Sequence, residues 1–189
     1  MSPWRHLPNA ITLLRIVLVV PLVIAIAHAD FNAALILVVV AGASDALDGL
    51  LAKRCGWQSW LGGVLDPIAD KTLLVACFVS LYVAGVMPGW LMWLALARDA
   101  VIVTGAVIYH FAVGRFTPQP SLASKITTTL QIALVVALLV DRTSWFELPA
   151  ALLQALIWLT ALATVISGLQ YVLVWSERAR EVWAKRARR

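Results

Sequence analysis

An all-α, polytopic membrane fold with six transmembrane helices and both termini in the cytoplasm is predicted by three observations. Of the 189 residues, 62% are apolar and only 13% are charged. A soluble domain has about 45–50% apolar and about 25% charged residues, so this chain carries more apolar side chains than one core can bury. Six apolar stretches run near the length of about 20 residues that crosses a bilayer. The lysines and arginines fall almost entirely on one side of the resulting topology.

The first stretch, 9–29, follows Pro8-Asn9, a reasonable helix start. Arg5 ahead of it and Ala27-His28-Ala29 behind it give it some likeness to a secretory signal, but Arg15 interrupts the run and further spans follow, so a retained span is expected. The next stretches are 32–54, 62–86, 89–113, 121–140 and 148–175, separated by short segments of turn or charged residues such as Gly56-Trp57-Gln58-Ser59 and Met87-Pro88-Gly89. With both ends inside, every lysine and arginine of the fifteen except Arg142 and Arg98 lies in a cytoplasmic segment or an adjoining helix end. That asymmetry is the positive-inside pattern. A single membrane domain over 1–189 is expected, in the cell (inner) membrane, with a basic tail, 176–189, forming a short interfacial helix with Glu177, Glu181 and Trp183.

A basic tail can bind nucleic acid, but next to a span its six basic residues are read as suiting anionic lipid headgroups instead. The nine tryptophans suit interfacial anchors. Cys55 and Cys77 form no CxxC pair and the three histidines are scattered, so neither zinc nor a disulfide framework is expected. The halves do not mirror each other, which argues against an inverted-repeat transporter.

The chemistry concentrates in Asp45, Asp48, Asp66 and Asp70. Carboxylates in or near a membrane are costly and usually face a cavity or a partner. Asp45 and Asp48 are three apart and Asp66 and Asp70 four apart, so each pair shares one face of its helix. A short connection makes the two helices antiparallel neighbours, and the four groups can converge on one pocket. Lys53, Arg54 and Lys71 do not suffice to pair them compactly. Hard divalent cations with oxygen ligands, Mg²⁺, Mn²⁺ or Ca²⁺, would. Gly49 and Ala52 open a slot beside the carboxylates where a base or diphosphate could approach, whereas Gly62 and Gly63 suit close helix packing. Pro67 removes one backbone bond inside the acidic helix and is expected to bend it.

The array Asp45-x2-Asp48-Gly49-x2-Ala52-Lys53-x8-Gly62-x3-Asp66-x3-Asp70 resembles the signature of the CDP-alcohol phosphatidyltransferase family. Seven of its eight fixed positions are matched, the exception being Lys53, where the family has arginine. Lysine keeps the charge and loses the bidentate fork. The resemblance implies a transferase of phospholipid biosynthesis that moves the phosphatidyl group of CDP-diacylglycerol to an alcohol and releases CMP, at an active site facing the cytoplasm. It implies two divalent ions (Mg²⁺ or Mn²⁺) held by Asp45, Asp48 and Asp66 with Asp70 contributing, Asp70 as general base, and CDP beside Gly49, Ala52, Lys53 and Gly62. A homodimer among membrane lipids is also implied.

For the acceptor, the segments Arg98-Asp99 and Ser124-Lys125-Ile126-Thr127-Thr128 bear on the choice, with Arg98 and Lys125 as candidate contacts for an anionic group. The Arg-Asp pair and the lack of a second lysine resemble the cardiolipin-forming branch, which makes phosphatidylglycerol the leading acceptor. Glycerol 3-phosphate, the acceptor of the phosphatidylglycerophosphate synthase branch, is the alternative. A cation transporter using the same aspartates and a non-catalytic scaffold are the rivals from other classes.

Overall fold

A computed structural model describes residues 7–55, 60–113, 121–143 and 145–187, with side chains described for 11–45, 66, 68–105, 107, 121–143 and 145–176. Among the described residues there are six helices and no strand: α1 (Leu7–Ala27), α2 (Phe31–Cys55), α3 (Trp60–Val83), α4 (Gly89–Val113), α5 (Leu122–Arg142) and α6 (Ala150–Ala187). They match the six expected stretches in order, with ends moved by a few residues, except at the C-terminus. There α6 runs on for 38 residues. No separate interfacial helix follows it, because Ser176–Ala187 is rich in Ala, Arg, Glu and Lys and contains neither Gly nor Pro to stop a helix.

The chain divides into two compact units. The first comprises 1–88 and 135–149, the second 89–134 and 150–189.

In the first unit α1 packs against both α2 and α3. Its buried face carries Thr12, Arg15, Leu22 and Ile26, while Leu13, Val17, Val20 and Ile24 point outward. Ala34, Val38 and Ala41 form a buried stripe on α2 whose helical spacing continues to Asp45. Two alanines in that stripe leave room for the close approach that small residues permit.

The α1–α2 turn is tightly specified. Ala29 N–H donates to Ile26 O at 3.0 Å and Asp30 N–H to Ala25 O at 2.9 Å, the two bonds of a Schellman motif. Ala29 takes the left-handed position at φ 57°, which favours glycine. The corresponding turn after α3 has Gly85 there, at φ 71°. Asp30 then caps α2, its Oδ1 accepting from Ala33 N–H at 3.0 Å.

In the second unit α4 packs against α6. Leu91, Ala95 and Arg98 share the buried stripe of α4, and Ile157, Thr160, Thr164 and Ser167 share that of α6. Trp90 and Trp158 stack at 5.3 Å between centroids. Thr127 Oγ1 of α5 donates to Ala163 O of α6 at 2.9 Å, a hydroxyl-to-backbone bond typical of apolar helix pairs.

Two helices, Leu122–Arg142 and Ala150–Ser176, have the length and hydropathy to cross a membrane, and Ile11–Ala27 and Phe31–Asp45 are shorter apolar helices. Large apolar side chains are exposed throughout, among them Val20, Trp93, Trp158 and Leu173.

Candidate functional site

Thr12 and Arg15 lie three apart on α1, so they share a face, and each is only 1% exposed. That face carries the two polar residues into an otherwise apolar helix pair. Arg15 Nη1 donates to Asp70 Oδ1 of α3 at 2.5 Å. The same nitrogen pairs with Asp45 Oδ1 of α2 at 2.8 Å. Thr12 Oγ1 donates to Asp66 Oδ1 of α3 at 2.6 Å. One helix thus gathers three carboxylates from two others.

The exposure of these groups gives the cluster a direction. The Arg15 side chain is 1% exposed, whereas those of Asp45 and Asp70 are 48% and 49% exposed. The guanidinium forms the floor, and the carboxylates stay accessible on the opposite side. A buried arginine is tolerable only if its charge is paired, which explains why the acids of two helices converge on it.

Asp45, Asp66 and Asp70 are therefore gathered by α1 as a cluster. Asp48, Gly49, Ala52 and Lys53 lie on α2 and Gly62 on α3, but their side chains are outside the described residues, as are those of Gly63 and Pro67. The expected shortage of counter-charge is corrected in one respect. Among the described residues a counter-charge comes from Arg15, which pairs with Asp45 and Asp70 and which the hydropathy reading treats as an interruption. Its signal was present: a charged residue inside an apolar run needs a partner, and Thr12 sits three residues before it on the same face.

Among the described residues, no three His, Cys, Asp or Glu side chains close on one point as a metal site. The donor set nonetheless suits a hard cation. Half-exposed carboxylate oxygens from two helices are the ligands that Mg²⁺ and Mn²⁺ take.

Arg98 and Lys125 belong to the second unit. Arg98 is 6% exposed. It donates through Nη1 to Asp99 Oδ1 at 2.9 Å, through Nη2 to Ser124 Oγ at 2.8 Å and to Ser167 Oγ at 2.6 Å, and through Nε to Ser167 Oγ at 3.3 Å. Adjacent residues on a helix do not face each other. The length of the arginine lets its guanidinium turn back to Asp99 while also reaching α5 and α6. Ser124 is held in turn by the start of α5, where the Ser121 side chain accepts from Ser124 N–H at 3.1 Å. Lys125, the next residue, is exposed. Sequence reasoning passed over Ser167, which a serine in the buried stripe of α6 could have signalled.

Apolar outward faces on an all-helical chain, with a half-exposed acidic cluster spread over two helices, define a narrow class of protein. Residues 5–167 match the sequence model of the CDP-alcohol phosphatidyltransferase family, and the chain belongs to that family. Among its relatives, a probable cardiolipin synthase (CMP-forming) of Drosophila melanogaster is 34% identical over 183 residues, covering 88% of this chain and 56% of that protein. The human cardiolipin synthase (CMP-forming) is 31% identical over 187 residues, covering 90% of this chain and 61% of that protein. The chain spans less than two thirds of these two relatives. The CDP-diacylglycerol–glycerol-3-phosphate 3-phosphatidyltransferase of Bacillus subtilis is 29% identical over 182 residues, covering 88% of this chain and 93% of that protein. Nothing in these comparisons supports the cation-transport reading.

Proposed function

We propose that this chain transfers the phosphatidyl group of CDP-diacylglycerol to a glycerol-type alcohol and releases CMP. The observation that carries the reading is the carboxylate cluster of α2 and α3, spaced as in the family signature and gathered over Arg15 and Thr12. The acceptor hydroxyl oxygen attacks the phosphatidyl phosphorus, the bond from that phosphorus to the CMP oxygen breaks, and CMP departs. Asp70 takes the hydroxyl proton, a role for which a half-exposed carboxylate is accessible.

The family is generally dependent on divalent metals. Asp45, Asp48, Asp66 and Asp70 would hold two such ions, Mg²⁺ or Mn²⁺, which when bound neutralise the diphosphate and stabilise the leaving oxygen. Gly49, Ala52, Lys53 and Gly62 are assigned to the CDP moiety, and Arg98 and Lys125 to the acceptor. The six helices are assigned as six spans of one domain in the inner membrane, with both termini and the acidic cluster on the cytoplasmic side and a homodimer as the assembly.

Phosphatidylglycerol is the leading acceptor, giving cardiolipin. The Arg98–Asp99 pair supports it: the guanidinium is compensated by one carboxylate and held by two serines, which suits the single charge of a phosphodiester. Glycerol 3-phosphate is the second reading, favoured by the Bacillus subtilis relative, whose named substrate it is and 93% of whose length is matched.

The test is product formation by the purified protein from CDP-diacylglycerol and Mg²⁺ or Mn²⁺ with each acceptor in turn. Cardiolipin from phosphatidylglycerol is the expected product. Turnover with glycerol 3-phosphate alone would reverse the order of acceptors, and CMP release with neither would refute phosphatidyl transfer to both.

A further inference from the structure

We propose that Arg15 is a resident counter-ion of the acidic cluster, one that holds the carboxylates together and yields its place when a divalent ion enters. The inference rests on the aspartates being ion ligands, as read above. Three observations support it.

The first is that a single nitrogen serves both acids. Asp45 Oδ1 and Asp70 Oδ1 lie 2.8 Å and 2.5 Å from Arg15 Nη1. A hard divalent ion takes carboxylate oxygens at about 2.0–2.6 Å, so an ion sharing those two oxygens competes with that nitrogen for their negative charge. Both are positive, and the repulsion between them loosens the arginine's hold.

The second is the direction of access. The guanidinium is buried while the carboxylates are half open, so an incoming ion meets the oxygens first, and the arginine must give way along the floor. The third is the contrast with Thr12, which holds Asp66 by a neutral hydroxyl and so does not oppose a cation.

Arg15 is thus a positioning residue. It keeps the acids of α2 and α3 from repelling each other before an ion arrives. Its presence lowers the affinity of the site for the ion it prepares.

The test uses the full-length protein in detergent, with Mn²⁺ binding read by electron paramagnetic resonance and thermal unfolding followed in chelator and in Mn²⁺. Arg15→Gln is expected to bind Mn²⁺ about tenfold tighter than the wild type, within the usual range of coupling between two ligands. It should melt lower in chelator and gain more from Mn²⁺ than the wild type does. An arginine that only supports packing would leave the affinity unchanged or reduce it when lost, and either result in Arg15→Gln overturns the proposal.

A second measurement needs no loss of charge. In wild type labelled with ¹⁵N-arginine, saturating Mg²⁺ should shift the side-chain resonance that is missing from Arg15→Lys, and an unmoved resonance overturns the proposal even if Arg15→Gln does not fold. Absence of Mn²⁺ binding in both the wild type and Arg15→Gln would instead remove the ion-ligand reading on which the inference rests.

Discussion

Arg15 and Arg98 are both almost fully buried, one in each compact unit, yet their surroundings are opposite. Arg15 faces Asp45 and Asp70, both half exposed. Arg98 faces Asp99, 14% exposed, and the hydroxyls of Ser124 and Ser167. Carboxylates in excess can exchange one cation for another, since their need is for charge and not for a particular shape. Hydroxyls cannot offer that exchange. They grip the guanidinium by direction, from two helices at once, and leave its charge compensated by a single acid. The first environment suits cations and the second suits the retention of one fixed positive charge.

The largest expected effect tests the first environment. Asp70→Asn should lower CMP release by about 10²–10⁴-fold, the usual contribution of a general base, in a protein that still folds because Asn accepts a hydrogen bond from Arg15. Near-normal turnover in a steady-state assay would show that Asp70 is not the base. Removing divalent ions with chelator should abolish the same activity, and Mg²⁺ or Mn²⁺ should restore it.

The second environment gives the next effect. Arg98→Lys keeps the charge but loses the fork that spans Asp99, Ser124 and Ser167. We expect the KM for the acceptor to rise about tenfold, as loss of one charged hydrogen bond would give, with the KM for CDP-diacylglycerol unchanged. Equal effects on both substrates would make Arg98 a structural bolt alone. Ser167→Ala should destabilise the second unit by about 1–3 kcal/mol in thermal unfolding, because it leaves part of a buried guanidinium unsatisfied.

The smallest effect concerns the turn that delivers α2 and Asp45. Ala29→Gly should stabilise the protein by about 1 kcal/mol, since alanine in the left-handed region costs roughly that much relative to glycine. Gly85→Ala should cost a similar amount, by the same argument reversed. Asp30→Ala should cost about 1 kcal/mol through the lost cap. A null result for all three would mean that the ends of α1 and α3 do not limit the stability of the first unit.

The helices were legible because each apolar run is long and the segments between them carry recognisable turn residues, Met87-Pro88-Gly89 among them. The meeting of Asp45, Asp66 and Asp70 was legible from spacing, as intervals of three and four place side chains on one helix face. Arg15 and Thr12 were not, because hydropathy treats a lone charge as noise in a span, whereas its meaning depends on carboxylates thirty and more residues away. Ser167 was hidden for a similar reason: a small hydroxyl in a stripe shared with Thr160 and Thr164 shows its purpose only when Arg98 arrives from another helix. The length of α6 was missed because the tail was read as a short helix of its own, although no Gly or Pro between 176 and 187 interrupts the preceding one.

That last feature has a mechanical side. Thirty-eight residues in one helix make a rod about 57 Å long, against about 30 Å of hydrocarbon in a bilayer. If Ala150–Ser176 crosses the membrane, the remainder stands beyond it as part of the same rigid shaft. Its basic residues then have no hinge of their own, and any attraction they feel toward anionic headgroups is converted into a tilt of the whole helix.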